Sequence, residues 1–238
     1  MKSYLKCLTV VMLAISWQTL SAAEITGKVT LKGTPKPEVP IPLEGTTCGP
    51  VVHTKLTTRH YVVGPDHGLA NVFVYIKQGA AAAPPVGEEP LLDQANCQYE
   101  PYVMGVVTGQ KFKIRSSDPL MHNVHATPKN PKDEFNFAQV SKGQVNEKSF
   151  TAPEVLVRMK CDVHPWMFAY IGVVDHPYFA VTDKNGSFTI PNLPAGKYTI
   201  EARHMKAGAK SQEINITASD KKTVDFEMEV PAALPNPQ

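Results

Sequence analysis

Short runs in which apolar and polar residues alternate recur roughly every 8 to 12 positions along this chain, and no stretch keeps the 3.6-residue period of a surface helix. A period of two marks a strand with one buried face, because successive side chains leave a pleated backbone on opposite sides. The first such runs are Ile25 to Leu31 and Leu69 to Lys77. In the second, Val72, Val74 and Ile76 face one way while Phe73 and Tyr75 face the other, so this strand is expected to be covered on both sides. Farther on, Phe112 and Ile114 alternate with Lys111, Lys113 and Arg115, and Val155, Val157 and Met159 alternate with Leu156, Arg158 and Lys160. Five short strands are predicted near the end: Tyr178 to Asp183, Ser187 to Ile190, Lys197 to Arg203, Gln212 to Ile216 and Thr223 to Glu229. Asn185-Gly186 suits a hairpin turn between two of them. The pattern predicts an all-β chain made of sandwiches. Gly79 to Pro90, with its alanine run and Pro84-Pro85, reads as a loop and a boundary, dividing residues 24–87 from 88–175; a further segment covers 176–230. The Pro-rich tail 231–238 is expected to be disordered.

Residues 1–23 read as an export signal: Lys2 and Lys6 precede the mostly apolar stretch Leu8 to Leu20, and Ser21-Ala22-Ala23 is a small-residue cleavage site. The expected compartment is a bacterial periplasm. No other stretch looks transmembrane. Without Lys2 and Lys6 the 24 basic residues become 22 against 22 acidic ones, so the formal charge falls from +2 to 0 and nothing points to nucleic acid. Of the four cysteines, Cys7 leaves with the signal and an odd number remains: Cys48, Cys97 and Cys161.

The candidate chemistry lies where the alternating run ends. Cys161 continues the apolar face of Val157 and Met159, so its sulfur is expected to point into the rim of a core. The tight loop that follows, Cys-x2-His-x2-Met, brings His164 and Met167 back toward it, stiffened by Pro165. About forty residues upstream, the polar turn Ser116-Ser117-Asp118-Pro119 leads to His122. A thiolate, two imidazoles and a thioether form the soft mixed set that suits copper in a trigonal site with a weak axial methionine. Met121 and His125 either belong to this site or flank it; His125 is expected on the same face as His122, lining the entrance. Asn123 is either a turn residue or an amide that ties the two ligand segments together. If Cys161 binds metal, Cys48 and Cys97 are left to pair in a disulfide or to stand as separate buried thiols. His53, His60, His67, His176 and His204 share no ligand spacing and read as solvated or core residues.

Met121-His122-Asn123-Val124-His125 followed by Cys161-Asp162-Val163-His164-Pro165-Trp166-Met167 resembles the ligand segments of blue copper proteins of the amicyanin- and plastocyanin-like kind, the cupredoxins. The likeness covers about residues 88 to 175 and implies a Greek-key β-sandwich with one type 1 copper ion. It makes His122, Cys161 and His164 the equatorial ligands, Met167 the axial one and Asn123 the bridging asparagine; Asp162 joins Asn123 in the shell around the ligands. Two positions depart from the family: Met121 stands where a proline often precedes the first histidine, and Lys160 stands where an aromatic residue or histidine often precedes the cysteine. Thr182-Asp183 with Gly186 and Phe188, then Leu193-Pro194-Ala195-Gly196-Lys197-Tyr198-Thr199, resembles the carboxypeptidase regulatory-like, or prealbumin-like, β-sandwich. Such a module begins with strands like Ile25 to Val29 and Ala70 to Val74, so the copper unit is expected to be inserted into it.

The function expected from these readings is one-electron transfer between redox partners such as a cytochrome c or a dehydrogenase. The electron port would be His164 with Pro165 and Trp166, the outer imidazole edge emerging at the surface. With four donors engaged no position is open for substrate, so no catalysis is expected. The alternative is copper binding, storage or delivery, with Met104, Met121 and His125 as accessory donors; a structural zinc site is the remote reading. Partner, potential and oligomeric state do not follow from residue types.

Overall fold

The computed structural model describes residues 23–232. The expected export signal lies outside the described residues except for Ala23, and of the Pro-rich tail only Pro231 and Ala232 are described. The chain is all-β. Its first two strands are β1 (Ala23–Lys32) and β2 (Phe73–Gln78). Then come β3 (Leu91–Ala95), β4 (Gln98–Glu100), β5 (Val103–Val107), β6 (Phe112–Ser116), β7 (His122–Thr127), β8 (Phe135–Gln139), β9 (Val145–Lys148), β10 (Glu154–Lys160) and β11 (Phe168–Val174). The last six are β12 (Phe179–Val181), β13 (Ser187–Leu193), β14 (Gly196–His204), β15 (Gly208–Ile216), β16 (Lys221–Thr223) and β17 (Phe226–Glu229). Among the described residues no helix is long and apolar enough to cross a membrane.

Strands β3 to β11 form a self-contained sandwich. One sheet runs β5-β11-β10-β7-β8 and the other β4-β3-β6-β9. Their inner faces meet in a core of Leu92, Tyr99, Phe112 and Ile114 from one side and Val106, Val124, Val157, Met159 and Ile171 from the other. The remaining strands form the second sandwich, with sheets β13-β1-β16 (β17 also pairing β1) and β12-β2-β14-β15. Among the described residues the first and last strands are therefore hydrogen-bonded neighbours, and β1 pairs in parallel with both β16 and β17.

Strand β2 is the joint between the two. Val72, Val74 and Ile76 lie in the core of the second sandwich, while Phe73 and Tyr75 turn outward to pack with Tyr102, Val103 and Val174 of the first. All five are buried, the two-sided burial that their alternation predicts. The Phe73 ring lies against Gly105 of β5 and Gly172 of β11, which sit opposite each other in register, so the absence of a side chain at both is what lets the aromatic ring reach the sheet. Beside it, the buried carboxylate of Glu201 accepts from Lys77 Nζ at 2.6 Å and from Tyr75, Arg203 and Ser211 at 3.0 Å each.

The alternation read from Val155 onward starts two residues late. A bulge between Glu154 and Val157, with Leu156 at φ 66°, turns Val155 and Leu156 toward the joint, and only from Val157 do the odd residues face the core. The segment between β1 and β2 has little regular structure. It folds back on itself through Ile41 N–H to Leu56 O at 2.9 Å and Thr58 N–H to Val39 O at 2.9 Å. Val52 and Leu56 pack with Cys48 and Cys97, which form a disulfide, leaving Cys161 as the free thiol among the described residues.

A methyl group added at Gly172 would collide with the Phe73 ring. Gly172→Ala is expected to destabilise the protein by about 1–3 kcal/mol, the usual cost of overpacking; chemical denaturation with intrinsic fluorescence measures this, and an unchanged midpoint would mean that the ring has room to yield.

Candidate metal centre

Two ladders bring the ligand segments together. Strand β10 pairs antiparallel with β7, Lys160 opposite His125 and Met159 opposite Ala126, so the end of β10 and the start of β7 lie side by side. The loop after β10 is closed by its own backbone: Cys161 N–H donates to Met167 O at 2.9 Å and Met167 N–H to His164 O at 2.8 Å. His122, Cys161 and His164 are all buried, and their ligand atoms lie within 4.8 Å of one another. His122 Nδ1 is 3.1 Å from His164 Nδ1, which is 3.5 Å from the Cys161 sulfur. Met167 is buried in the same core group as Cys161.

In each histidine the outer nitrogen is already engaged. His122 Nε2 meets the Asp118 carboxylate at 2.8 Å, and that carboxylate also accepts from the N–H groups of Asn96 at 2.7 Å and Cys97 at 2.8 Å. His164 Nε2 meets the hydroxyl of Thr47 at 3.1 Å. Both Nδ1 atoms are thereby turned inward, where metal-binding imidazoles held from behind would present them. The sulfur accepts the N–H of Asn123 at 3.3 Å, and the Asn123 side-chain oxygen accepts Asp162 N–H at 3.1 Å. Asn123 thus links the two segments, and Tyr99 fixes it from below by donating to its carbonyl at 2.9 Å.

Burial alone pushes the Cys161 thiol up, but hydrogen bonds from His122, His164 and the N–H groups of Asn123 and Val163 outweigh it and bring its pKa from 9.0 down to about 6. His122 moves the other way: burial lowers it, and its bonds to Asp118 and Cys161 raise it above the ordinary imidazole value. Asp118, despite the upward push of burial, is held below the usual carboxylate range by His122 and the two backbone donors. Asp162 is lowered to about 2, chiefly by Lys160 at 2.8 Å and also by His125. A pair of imidazoles and a thiol that favours its ionised form, gathered in a dry rim, fit a soft transition-metal ion. The other cluster of possible ligands among the described residues is Cys97, Asp118 and His122, where Cys97 is already bonded to Cys48.

Three expectations are corrected. His125 does not line the entrance beside His122: it is three residues on, an odd step in a strand, and so points to the opposite side, where it contacts Asp162 at 2.9 Å and Glu134 at 3.4 Å. It is no accessory donor, and Met104 lies in the core rather than at the site mouth. The outer edge of His164 does not emerge at the surface. The residue is 3% exposed because Thr47, on the segment between β1 and β2, lies over that edge. Trp166 is partly buried, its indole N–H donating to Cys97 O at 3.1 Å, while Pro165, Val163 and Met121 remain exposed around the site.

Thr47 and Asp118 were not legible as site residues. Asp118 stands four residues before His122 in what reads as a plain polar turn, and its contact with the backbone of Cys97 is tertiary. Thr47 has no local signal except its place beside a cysteine.

A family model for the carboxypeptidase regulatory-like domain matches residues 165–229. No match is found among curated proteins. Among solved structures, the copper-containing nitrite reductase NirK from Thermus scotoductus SA-01 is 18% identical with a TM-score of 0.33, over 42% of this chain and 25% of that one. This chain thus spans about a quarter of the reductase. A purple cupredoxin from Nitrosopumilus maritimus is 20% identical, TM-score 0.31, over 36% of this chain and 99% of its own. An oxidised amicyanin variant is 21% identical, TM-score 0.33, over 42% and 97%.

Asp118→Ala strands two buried donors, His122 Nε2 and Cys97 N–H, and frees the more exposed N–H of Asn96; it is expected to destabilise the metal-free protein by about 1–3 kcal/mol near neutral pH. Because the folded carboxylate is held below its ordinary value, the stability it contributes is present above the unfolded pKa and lost as pH falls through the folded one. Urea denaturation across an acid series should therefore show variant and unaltered protein converging toward low pH; a gap that stays constant would mean the charge contributes nothing.

Proposed function

We propose that the chain holds one type 1 copper ion between His122, Cys161 and His164, with Met167 as the weak axial donor, and passes single electrons in the bacterial periplasm. The observation that carries this is the buried gathering of two inward-turned Nδ1 atoms and one acidic thiol, each held from behind by its own partner. Copper, when bound, supplies a one-electron couple tuned by the thiolate and the thioether. The protein's part is to keep the donors from moving and to exclude water. Asn123 N–H withdraws charge from the sulfur, and its side chain keeps the loop of Cys161 in register with β7. With His122, Cys161, His164 and Met167 all engaged as donors, the centre as read here leaves no position open for substrate, and its role is carriage of electrons rather than catalysis.

With the edge of His164 covered, the electron crosses the exposed rim of Met121, Val163 and Pro165. A partner such as a cytochrome c or a dehydrogenase would meet that rim. We read residues 88–175 as the copper unit, inserted into a carboxypeptidase regulatory-like sandwich made of residues 24–87 and 176–230, which acts as a spacer or docking module. The second reading, copper holding or delivery, keeps one exposed thioether as an accessory donor: Met121, next to His122 in the sequence, is 46% exposed.

Protein loaded with Cu(II) is expected to show an intense visible thiolate-to-copper band and to cycle reversibly with the metal retained. Cys161→Ser should abolish the band. A colourless loaded protein sinks the copper reading, and copper lost to an acceptor on each reduction would leave delivery in place of electron transfer.

A further inference from the structure

The supports behind the two histidines converge on one covalent link. Cys97 N–H donates to Asp118, which holds His122 Nε2, and Cys97 O accepts from Trp166, whose ring lies 5.4 Å from that of His164. Across the disulfide, Cys48 is the chain neighbour of Thr47, whose hydroxyl holds His164 Nε2. Cys48 and Cys97 are fully buried, packed with Val52 and Leu56, whereas Thr47 itself is exposed on its outer side. A single surface threonine therefore covers the edge of a buried imidazole, and its backbone is pinned from beneath by the disulfide.

We propose, on the reading that this centre holds copper, that Thr47 is a positioning residue for His164 and that the Cys48–Cys97 disulfide keeps it in place. For the ring of His164 to leave a metal at Nδ1 it must turn. Turning breaks the bond at Nε2 and drives the ring against Thr47, which cannot retreat while Cys48 is anchored. The imidazole is held in one orientation and one tautomer, Nε2–H donating to the threonine oxygen. Solvent and competing ligands are shut out along this edge, and copper is retained for long periods.

Thr47→Val keeps the branched shape and removes the hydroxyl; Thr47→Ser keeps the hydroxyl. The experiment follows the visible band of Cu(II)-loaded full-length protein in excess EDTA, alongside the thermal midpoint of each metal-free variant. Thr47→Val is expected to lose copper roughly 10- to 100-fold faster, the usual scale for removing a group that supports a ligand, with a shifted band and a metal-free midpoint close to the unaltered chain. Thr47→Ser should restore both rate and band. Cys48→Ala with Cys97→Ala should release copper about as fast, and adding Thr47→Val to that pair should give little further effect, because both changes remove the same restraint. The proposal is overturned if Thr47→Val releases copper at the unaltered rate, if Thr47→Ser behaves like Thr47→Val, or if the threonine and cysteine changes add independently. An unaltered chain that takes up no copper would instead remove the copper reading on which this one rests.

Discussion

A sulfur with 3% of its residue surface exposed, at the end of a strand, has to be met by donors or stay a plain thiol. Here the donors come from both sides: a backbone N–H from the start of β7, and two imidazoles, one from β7 and one from the loop after β10. Each donor depends on something farther out. Asn123 is fixed by Tyr99 and by Asp162 N–H, His122 by Asp118, and His164 by Thr47. The centre is thus the innermost layer of a nested set of hydrogen bonds, and the two sheets of the first sandwich supply its rigid frame.

That frame is itself locked to the second sandwich. Phe73 lies on a surface made flat by two glycines, and the buried charge of Glu201 next to it is fully answered by four donors. A hinge between the sandwiches would have to lift an aromatic ring off Gly105 and Gly172 and expose Val103 and Val174. The apolar area of that contact, rather than a linker, sets how the two halves are arranged.

Much of this was readable in the residues. Val157, Met159 and Cys161 share a face because strands alternate, and the same rule gave β2 its two covered sides. Parity of the cysteines left Cys48 and Cys97 to each other without deciding whether they bond. Where the reading failed, it failed for physical reasons. His125 was given the face of His122 as a residue two positions on would have, but it stands three positions on, and three residues of strand reverse the side. Thr47 and Asp118 act through contacts with residues far away in sequence, in segments whose irregular backbone carries no period. Nothing local announces that the loop between β1 and β2 folds over the far end of the other sandwich and hides the edge of His164.

The pairing of β1 with β13, β16 and β17 has a consequence for the order in which the chain can assemble as it is made. Strands β1 and β2 leave the ribosome early yet find all their sheet partners only in the last sixty or so residues, while the inner sandwich owns every one of its strands once Val174 has been added. Until those last strands arrive the inner unit can close while the first strand still waits unpaired. A β-strand with one apolar face, held open for that interval, presents its unpaired backbone to other chains.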